Sequence, residues 1–219
     1  MLPRVLEPEV MDSAEEAHDY DAMDHAAVNA AFVTDLLAAG LPDGPLLDLG
    51  TGTAQIPIEL CRRAPAAHVV ATDLARHMLA LAAENVARAG LAGRIELQLG
   101  DGKRLCWPDG AFAAVTSNSI VHHIPEPIRV FAEALRVARR GGLLFFRDLL
   151  RPDDDAAVRW RVDTYAAGST ARQRALFDAS LRAALTLEEV RAVVRELGLC
   201  SECVQATSDR HWTLSARVP

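Results

Sequence analysis

The sequence lacks a long hydrophobic run, although half of its 219 residues are hydrophobic. No segment approaches the roughly 18 or more consecutive apolar residues that a membrane-spanning helix requires. Residues 1–20 are acidic and carry no apolar core of the kind found in a signal peptide. We therefore expect a cytoplasmic protein that has no membrane partner.

Cysteine is also scarce, and basic residues do not outnumber acidic ones. The four cysteines, Cys61, Cys106, Cys200 and Cys203, are typical of reduced thiols in a cytosol. Cys200 and Cys203 form a lone CxxC pair without a second pair of matching spacing, so a structural zinc site is not expected there. The 23 basic and 30 acidic residues give a net charge of −7, which offers no broad basic surface for phosphates. Nucleic acid is not an expected partner.

No repeat, low-complexity tract or linker divides the chain, so residues 1–219 are expected to form a single domain. Short apolar runs alternate with longer helical stretches. This pattern predicts an α/β fold in which helices cover both faces of a mostly parallel sheet. Seven strands are predicted, at residues 45–49, 69–73, 95–99, 113–117, 143–148, 201–205 and 212–217. The last two are joined by the polar turn Ser208-Asp209-Arg210, which predicts a terminal hairpin.

Helical periodicity and capping residues mark the segments between the strands. The pair Gly141-Gly142 is expected to end the helix that precedes the fifth strand. Gly168-Ser169 is expected to break a long helical stretch into two pieces. Thr186 and Glu189 form a capping box at the start of the last helix. The helical segments are predicted at residues 24–39, 56–64, 74–89, 103–109, 127–139, 152–185 and 186–197.

A glycine-rich turn, Gly50-Thr51-Gly52, follows the first predicted strand. Glycines at such a turn permit unusual backbone angles and let a ligand lie directly against the main chain. A dinucleotide-binding turn requires a third glycine three residues after the second, and that position holds Gln55. Asp48 places a carboxylate just ahead of the turn. A carboxylate there suits a cationic ligand better than a pyrophosphate.

Two further acidic residues follow the next two predicted strands. Asp73 ends the second strand, where its carboxylate can accept hydrogen bonds from two ribose hydroxyls. Asp101 lies between Gly100 and Gly102 after the third strand, where it can accept a hydrogen bond from an exocyclic amine such as adenine N6. A single acid at a strand end is often only a loop cap. Three acids at three successive strand ends together predict a nucleoside pocket without a phosphate site.

These residues, together with Pro108-Asp109-Gly110-Ala111-Phe112 and the run Ser117-Asn118-Ser119-Ile120-Val121-His122-His123-Ile124-Pro125, resemble the class I S-adenosylmethionine-dependent methyltransferases. The ubiquinone/menaquinone-type and other small-molecule enzymes are particularly similar. The resemblance covers nearly the whole chain and implies S-adenosylmethionine as cofactor, with S-adenosylhomocysteine as its product. It implies the cofactor-binding residues Asp48, Gly50, Thr51, Gly52, Asp73, Leu74, Asp101, Gly102 and Asn118. Ala113-Ala114 departs from the pattern, since relatives often carry an Asp there.

The resemblance also implies an architecture. The expected fold is a Rossmann-like three-layer sandwich with a seven-stranded sheet ordered 3-2-1-4-5-7-6 and an antiparallel seventh strand. Residues 1–40 are expected to form an N-terminal helical lid, in which Tyr20 and Met23 close over the donor methyl. Residues 152–185 are expected to form a helical insertion beside the acceptor pocket.

Candidate catalytic residues follow from the rule that parallel sheets bind ligands at the carboxyl ends of their strands. An acceptor hydroxyl, amine or acidic carbon must lose a proton, and a neutral histidine suits that role. His123 is the first candidate for the general base and His211 the second, with His122 and Asp148 as further catalytic candidates. The polar residues that follow strands four and five lie at the carboxyl ends of the parallel strands, an edge of the sheet called the rim here. The terminal hairpin is expected to bring its own polar residues to this rim. The rim set is His122, His123, Asp148, Arg151, Asp209, Arg210, His211 and Trp212.

Other interpretations of this rim remain open. His122 or His123 can cap a short helix before Pro125, and Asp148 can form a structural ion pair with Arg151. Arg151 or Arg210 can instead bind an acceptor carboxylate. Imidazole and carboxylate groups are also ordinary ligands for divalent metals. Because adjacent histidines point apart too easily to chelate jointly, no metal is expected.

The expected function is methyl transfer from S-adenosylmethionine to a small-molecule oxygen, nitrogen or carbon by in-line displacement, in a monomer or homodimer. The Asn/Asp-Pro-Pro-Tyr/Phe run of adenine and glutamine methylation is missing after strand four, as is the cysteine nucleophile of cytosine C5 enzymes. A non-catalytic S-adenosylmethionine-binding protein or regulatory subunit is the main alternative. Gln55 and Asp48 argue against a third possibility, a nucleotide-dependent oxidoreductase.

Overall fold

The computed structural model of the chain describes residues 2–8, 12–23 and 25–219. In this described part, seven strands and eight α-helices follow one another. The strands are β1 (Leu46–Leu49), β2 (Val69–Asp73), β3 (Ile95–Leu99), β4 (Phe112–Asn118), β5 (Ala138–Leu149), β6 (Val204–Ala206) and β7 (His211–Arg217). The helices are α1 (Ala14–Asp21), α2 (Ala26–Ala38), α3 (Gln55–Arg63), α4 (Arg76–Arg88), α5 (Pro127–Val137), α6 (Asp155–Tyr165), α7 (Ala171–Ala183) and α8 (Leu187–Glu196).

The strands form one sheet in the order β3-β2-β1-β4-β5-β7-β6. The first five strands are parallel, and β7 runs antiparallel to both β5 and β6. The predicted strand order and the antiparallel seventh strand are therefore confirmed, and so is the α/β class. Helices α3, α4 and α5 connect β1 to β2, β2 to β3 and β4 to β5, and right-handed crossovers place these helices on the two faces of the sheet.

Each face of the sheet is buried by its own hydrophobic cluster. On one face, α5 and α8 contribute Phe131 and Val190 to a cluster that contains the fully buried Trp212. On the other face, α2, α3 and α4 pack on the sheet, with Phe32 of α2 edge-on to Phe145 of β5 at 5.2 Å between ring centroids. Burial on both faces explains why the central strands are almost continuously apolar.

Most predicted boundaries agree with the structure, but two interpretations are wrong. The segment predicted as helical at residues 103–109 contains no helix, and Asp101 and Arg104 form an isolated β-bridge at its start. The pair Gly141-Gly142 lies within β5 rather than at the end of α5. The pairing of β4 with β5 shifts register near this pair, and a Cβ at Gly142 would lie 2.7 Å from the Arg139 carbonyl oxygen. The glycines therefore allow the irregular pairing of β5 with β4 and do not cap a helix.

Helix α1 of the N-terminal region packs against α4. Helix α1, which the sequence analysis did not predict, begins with a capping box between Ser13 and Glu16. Its Tyr20 packs in a small cluster with Ala75 and Met78. The predicted first residue of α2, Asp24, lies outside the described residues, and α2 begins at Ala26.

The helical insertion consists of α6 and α7, which flank Gly168 as expected. Val158 and Leu181 from these helices pack against Leu149 at the carboxyl end of β5. The predicted capping box of Thr186 and Glu189 is present at the start of α8. Among the described residues, no helix combines the length and the apolar character that crossing a membrane requires.

Candidate active site

Two adjoining cavities lie where β1, β2, β3 and β4 end. The larger is a cleft of about 820 Å³, and the smaller has about 370 Å³. They share Tyr20, Gly50 and Asn118. All nine residues predicted to bind the cofactor line one cavity or the other. The larger is lined by Gly50, Gly52, Asp73, Leu74, Asp101, Gly102 and Asn118, and the smaller by Asp48, Gly50, Thr51 and Asn118.

The glycine turn brings main chain directly to the floor of the cleft. Gly50 has a φ of +67° and Gly52 a φ of +56°, in the left-handed region that side chains disfavour. A Cβ at Gly50 would lie 2.2 Å from Cγ2 of Ile120, which also lines the cleft. Backbone angle and close approach therefore both require glycine at position 50.

Asp73 connects the end of β2 to this turn. Its Oδ2 accepts a hydrogen bond from the Gly52 N–H at 2.8 Å, and its Oδ1 accepts one from the Ala75 N–H at 2.9 Å. Burial raises the pKa of Asp73 above its ordinary value, against the effect of these backbone donors. Each carboxylate oxygen retains a second acceptor site, so the group suits a pair of ribose hydroxyls.

Asp48 is a buried carboxylate one residue before the end of the apolar strand β1, with 4% of its surface exposed. Thr116 Oγ1 donates a hydrogen bond to its Oδ1 at 2.9 Å. Burial raises the pKa of Asp48 to about 6, and the like charge of Asp73 adds to this shift. An ionised Asp48 is thus destabilising in the cofactor-free protein and well placed for a cationic ligand.

We expect Asp48→Asn to stabilise the cofactor-free protein at pH 8 by about 1–3 kcal/mol, since one pKa unit corresponds to about 1.4 kcal/mol. A raised carboxyl pKa contributes stability that is fully present below the unfolded-state value and is lost as pH rises through about 6. The gain should therefore be small at pH 5. Urea unfolding at both pH values measures it, with the exposed Asp153→Asn as control. Equal gains at pH 5 and pH 8 would contradict the assignment.

Asp101 lies at the mouth of the cleft beside Lys103. Its Oδ1 accepts a hydrogen bond from the Lys103 N–H at 2.9 Å and lies 2.9 Å from Lys103 Nζ. Burial acts to raise the pKa of Asp101, but the contacts with Lys103 outweigh it and hold this pKa below the ordinary value. The carboxylate is therefore ionised at neutral pH and can accept a hydrogen bond from an amine.

The histidine pair lies on a short 3-10 turn, Val121–His123, directly after β4. His122 is buried, and its Nδ1 lies 2.5 Å from Asp148 Oδ1. Asp148 Oδ2 accepts hydrogen bonds from the N–H groups of Val121 and His122. Burial acts to lower the pKa of His122, but the charges of Asp148 and Glu7 outweigh it and raise this pKa above the ordinary value. Burial acts to raise the pKa of Asp148, but the contact with His122 outweighs it and lowers this pKa. Among the described residues, neither partner lines the cleft.

His123, by contrast, lines the cleft. Its ring stacks on that of His122 with 4.2 Å between centroids, and its Nδ1 lies 3.3 Å from the Pro8 carbonyl oxygen. Burial and the neighbouring charge of His122 lower the pKa of His123 to about 4. The ring is therefore neutral at physiological pH and has a nitrogen lone pair available.

The other predicted rim residues lie elsewhere. His211 pairs with Leu149 across β5 and β7, its Nδ1 is 2.9 Å from Ser208 Oγ, and it is outside the described lining of both cavities. The proposed ion pair between Arg151 and Asp148 is wrong, because Arg151 bonds Glu189 at 2.6 Å.

The terminal hairpin also differs from expectation. The Arg210 guanidinium lies 3.5 Å from the centroid of the Tyr165 ring, and Trp212 is fully buried in the core. Asp209 accepts a hydrogen bond from the Tyr165 hydroxyl at 2.7 Å. The predicted convergence of the hairpin on the cleft is therefore wrong for these residues. Of the cleft-lining residues in the described part of the chain, none comes from the insertion at 152–185.

The sequence analysis missed the segment 2–8, which contacts the histidine turn. Arg4 donates hydrogen bonds to the carbonyl oxygens of Ile124 at 2.9 Å and Ala183 at 2.7 Å. Glu7 Oε1 lies 3.4 Å from both His122 Nε2 and His123 Nδ1. These contacts join residues more than one hundred positions apart, so no periodicity or motif in the sequence reveals them.

Comparison with known proteins identifies related methyltransferases. Residues 47–146 match a family model described as a methyltransferase domain. The chain is 31% identical over 192 residues to malonyl-[acyl-carrier protein] O-methyltransferase from Geobacter sulfurreducens, which covers 84% of this chain and 67% of that protein. It is 31% identical over 100 residues to the ubiquinone/menaquinone biosynthesis C-methyltransferase of the same organism. That match covers 45% of this chain and 39% of that protein.

The crystal structure of a SAM dependent methyltransferase from Aquifex aeolicus has the same fold, with a TM-score of 0.70 and 18% identity over 95% of this chain and 100% of that one. The chain spans 67% of the length of the O-methyltransferase but less than half the length of several other curated relatives that it matches. Its similarity to the O-methyltransferase extends over most of both proteins, on a sheet of the expected strand order. The chain therefore belongs to the class I S-adenosylmethionine-dependent methyltransferases, and S-adenosylmethionine is its cofactor.

Proposed function

We propose that this enzyme transfers the methyl group of S-adenosylmethionine to a small-molecule acceptor, with His123 as the general base. The observation that carries the proposal is the position of His123, a neutral histidine in the lining of the same cleft as Asp73 and Asp101. The other histidine candidates are less suitable. His122 is buried against Asp148, and His211 bonds Ser208 on the terminal hairpin.

The carboxylates around the two cavities match the polar groups of the cofactor. Asp73 would hold the ribose hydroxyls and Asp101 the adenine amine, while Gly50 and Gly52 let the ligand approach the main chain. Asp48 lines the smaller cavity and would face the positively charged methionine part. The cofactor supplies an electrophilic methyl group on a sulfonium. Positioning the acceptor in line with that group can lower the barrier by about 7–11 kcal/mol in favourable cases.

Tyr20 supports the idea of an N-terminal lid. It lines both cavities, and its Cε1 would lie 3.4 Å from a Cβ at Gly52. Asp21, the next residue, accepts hydrogen bonds from Asn85 at 2.9 Å and Gln55 at 3.2 Å. These bonds join α1 to α3 and α4 and hold Tyr20 beside the glycine turn, where a lid would limit the access of water to the methyl donor.

The chemistry assigned to His123 follows from its hydrogen bond. When Nδ1 donates to the Pro8 carbonyl, the single proton of the neutral ring is on Nδ1 and Nε2 has a free lone pair. The bound cofactor would supply the methyl group, and an acceptor that receives this group would become more acidic. Nε2 can then take its proton. A base of low pKa suits an acceptor that releases its proton late in this process.

A small-molecule acceptor is supported by composition and by the relatives. The net charge of −7 disfavours nucleic acid, and one relative is named for a carrier-bound acyl acceptor and another for a quinone precursor pathway. We further propose a cytoplasmic enzyme, active as a monomer or homodimer, with residues 1–219 as one domain. The insertion at 152–185 would then border the acceptor at the carboxyl end of β5.

The test compares His123→Gln with His211→Gln as the matched control. Formation of S-adenosylhomocysteine is measured against a panel of phenols, carboxylic acids, amines and quinols, and cofactor affinity is measured by calorimetry. We expect His123→Gln to lower turnover of the accepted substrate by about 10²–10⁴-fold with unchanged affinity for S-adenosylhomocysteine. His211→Gln should keep wild-type turnover. Full turnover in His123→Gln would refute the base assignment while leaving the methyltransferase intact.

A further inference from the structure

A cluster of three ligand-type side chains lies behind the cleft, where the segment 2–8 meets the histidine turn. One ligand atom from each of Glu7, His122 and His123 lies within 4.8 Å of the other two, and Glu7 Oε1 is 3.4 Å from His122 Nε2 and from His123 Nδ1. The side chains of Glu7 and His122 are 9% and 4% exposed. The sequence-based expectation that adjacent histidines diverge is wrong here, because the two rings stack with 35° between their planes and both present a nitrogen to Glu7.

Glu7 Oε1 is an unsatisfied atom. It is buried and accepts no hydrogen bond from any residue that the structure describes. Its distance of 3.4 Å to each imidazole nitrogen is longer than an ordinary hydrogen bond of 2.7–3.2 Å. A buried carboxylate oxygen that accepts no hydrogen bond is costly, so its retention between two imidazole nitrogens needs an explanation.

These distances fit the edges of a tetrahedral metal site. Zinc binds histidine nitrogen and carboxylate oxygen at about 2.0–2.2 Å, which places neighbouring ligand atoms about 3.3–3.5 Å apart in a tetrahedron. The two separations from Glu7 Oε1 to the histidine nitrogens, 3.4 Å each, lie within that range. Two imidazoles and one carboxylate favour zinc and similar transition ions over magnesium or calcium.

The surroundings of His122 support the same interpretation. Its Nδ1 is taken by Asp148 at 2.5 Å, so Nε2 is the nitrogen that remains to bind an ion. Metal-binding histidines in proteins commonly donate their other ring N–H to a carboxylate, which orients the ring and raises its basicity. Asp148 is itself held by the N–H groups of Val121, His122 and Leu149. The cluster therefore has an orienting partner already in place.

We propose that Glu7, His122 and His123 form a binding site for one zinc-type divalent ion, which attaches the segment 2–8 to the histidine turn. Binding through Nδ1 of His123 replaces its contact with the Pro8 carbonyl and puts the ring proton on Nε2. His123 therefore cannot bind the ion and act as the general base at the same time. The site therefore acts as a control on the proposed methyl transfer and takes no part in the transfer itself.

The experiment uses the full chain, stripped with a chelator and dialysed, and titrates it with zinc chloride by calorimetry. We expect one ion per wild-type chain and an affinity at least about 100-fold lower in both Glu7→Gln and His123→Gln. Glu84→Gln, an exposed substitution of the same type, should bind as wild type does. Cobalt(II) loading should give the visible absorption of a tetrahedral nitrogen and oxygen site without a thiolate charge-transfer band.

The rival zinc ligands are Cys200 and Cys203, and the double variant Cys200→Ser/Cys203→Ser tests them. It should bind zinc as wild type does. The proposal is overturned if wild type binds no ion, if Glu7→Gln binds zinc as tightly as wild type, or if the cysteine variant loses the ion. Calorimetry with S-adenosylhomocysteine on Glu7→Gln, which should be unchanged, shows that a lost ion does not reflect a misfolded chain.

Discussion

Replacing Asp73 by alanine is expected to lower the affinity for S-adenosylhomocysteine at least about 100-fold. The substitution removes the acceptor proposed for the ribose hydroxyls, and hydrogen bonds to charged groups contribute roughly 1.5–3 kcal/mol each. It also leaves the N–H groups of Gly52 and Ala75 without their acceptor, so the glycine turn loses a support. The loss of two interactions of this size raises the dissociation constant about 100-fold or more.

Calorimetric titration of S-adenosylhomocysteine into wild type and Asp73→Ala makes this measurement. Asp73→Asn keeps the shape of the side chain and one acceptor oxygen, so it should show an intermediate affinity. The exposed Asp153→Asn serves as a matched control, and NADH as the negative ligand. Wild-type affinity in Asp73→Ala would mean that the carboxylate only supports the turn. Preference of the wild type for NADH would contradict the nucleoside pocket as assigned.

Gly50→Ala is expected to have the largest effect on stability among the single methyl additions at the site, about 2–5 kcal/mol. About 1–2 kcal/mol of this comes from placing a side chain at a φ of +67°. The rest comes from the clash of the new Cβ with Ile120 Cγ2, at a separation of 2.2 Å, since overpacking typically costs about 1–3 kcal/mol. Because this backbone lines both cavities, cofactor binding should be lost as well.

Gly90→Ala provides a control that separates the two contributions. Gly90 has a φ of +70°, and a Cβ there would meet nothing within 4 Å. Urea unfolding should therefore show a cost of about 1–2 kcal/mol for Gly90→Ala, with unchanged cofactor affinity. Combining Gly50→Ala with Ile120→Ala should recover part of the steric cost in a double-mutant cycle. Equal costs for Gly50→Ala and Gly90→Ala would show that the predicted clash with Ile120 is relieved without strain.

The residues that were predicted well share one property, which is that their position depends on local order in the chain. Asp48, Asp73 and Asp101 each stand at or just beside the end of a strand, and parallel strands bring their carboxyl ends to one edge of the sheet. Knowing the strands was therefore enough to predict that these side chains would lie together, and they line the two adjoining cavities at this edge. The capping box of Thr186 and Glu189 was predictable for the same reason, since its partners are three residues apart.

Side-chain pairing between distant segments was not predictable. Arg151 lies close to Asp148 in the sequence, but its guanidinium reaches Glu189 of α8. His211 stands on a strand that borders β5, yet its ring bonds Ser208 within the same hairpin. In both cases strand position alone does not determine the direction of the side chain. That direction depends on which partner packs nearby.

The sequence by itself determined the class of fold, the family and the cofactor, because strand periodicity and short motifs encode them locally. It also predicted nine residues that line the two cavities. Only the tertiary structure decided which histidine lines the cleft and that Glu7 lies between His122 and His123. The contact of Glu7 with these residues spans more than one hundred positions, and it forms because Arg4 bonds the carbonyl oxygens of the histidine turn and α7. Such a contact depends on how distant secondary-structure elements pack together, which the local sequence does not specify.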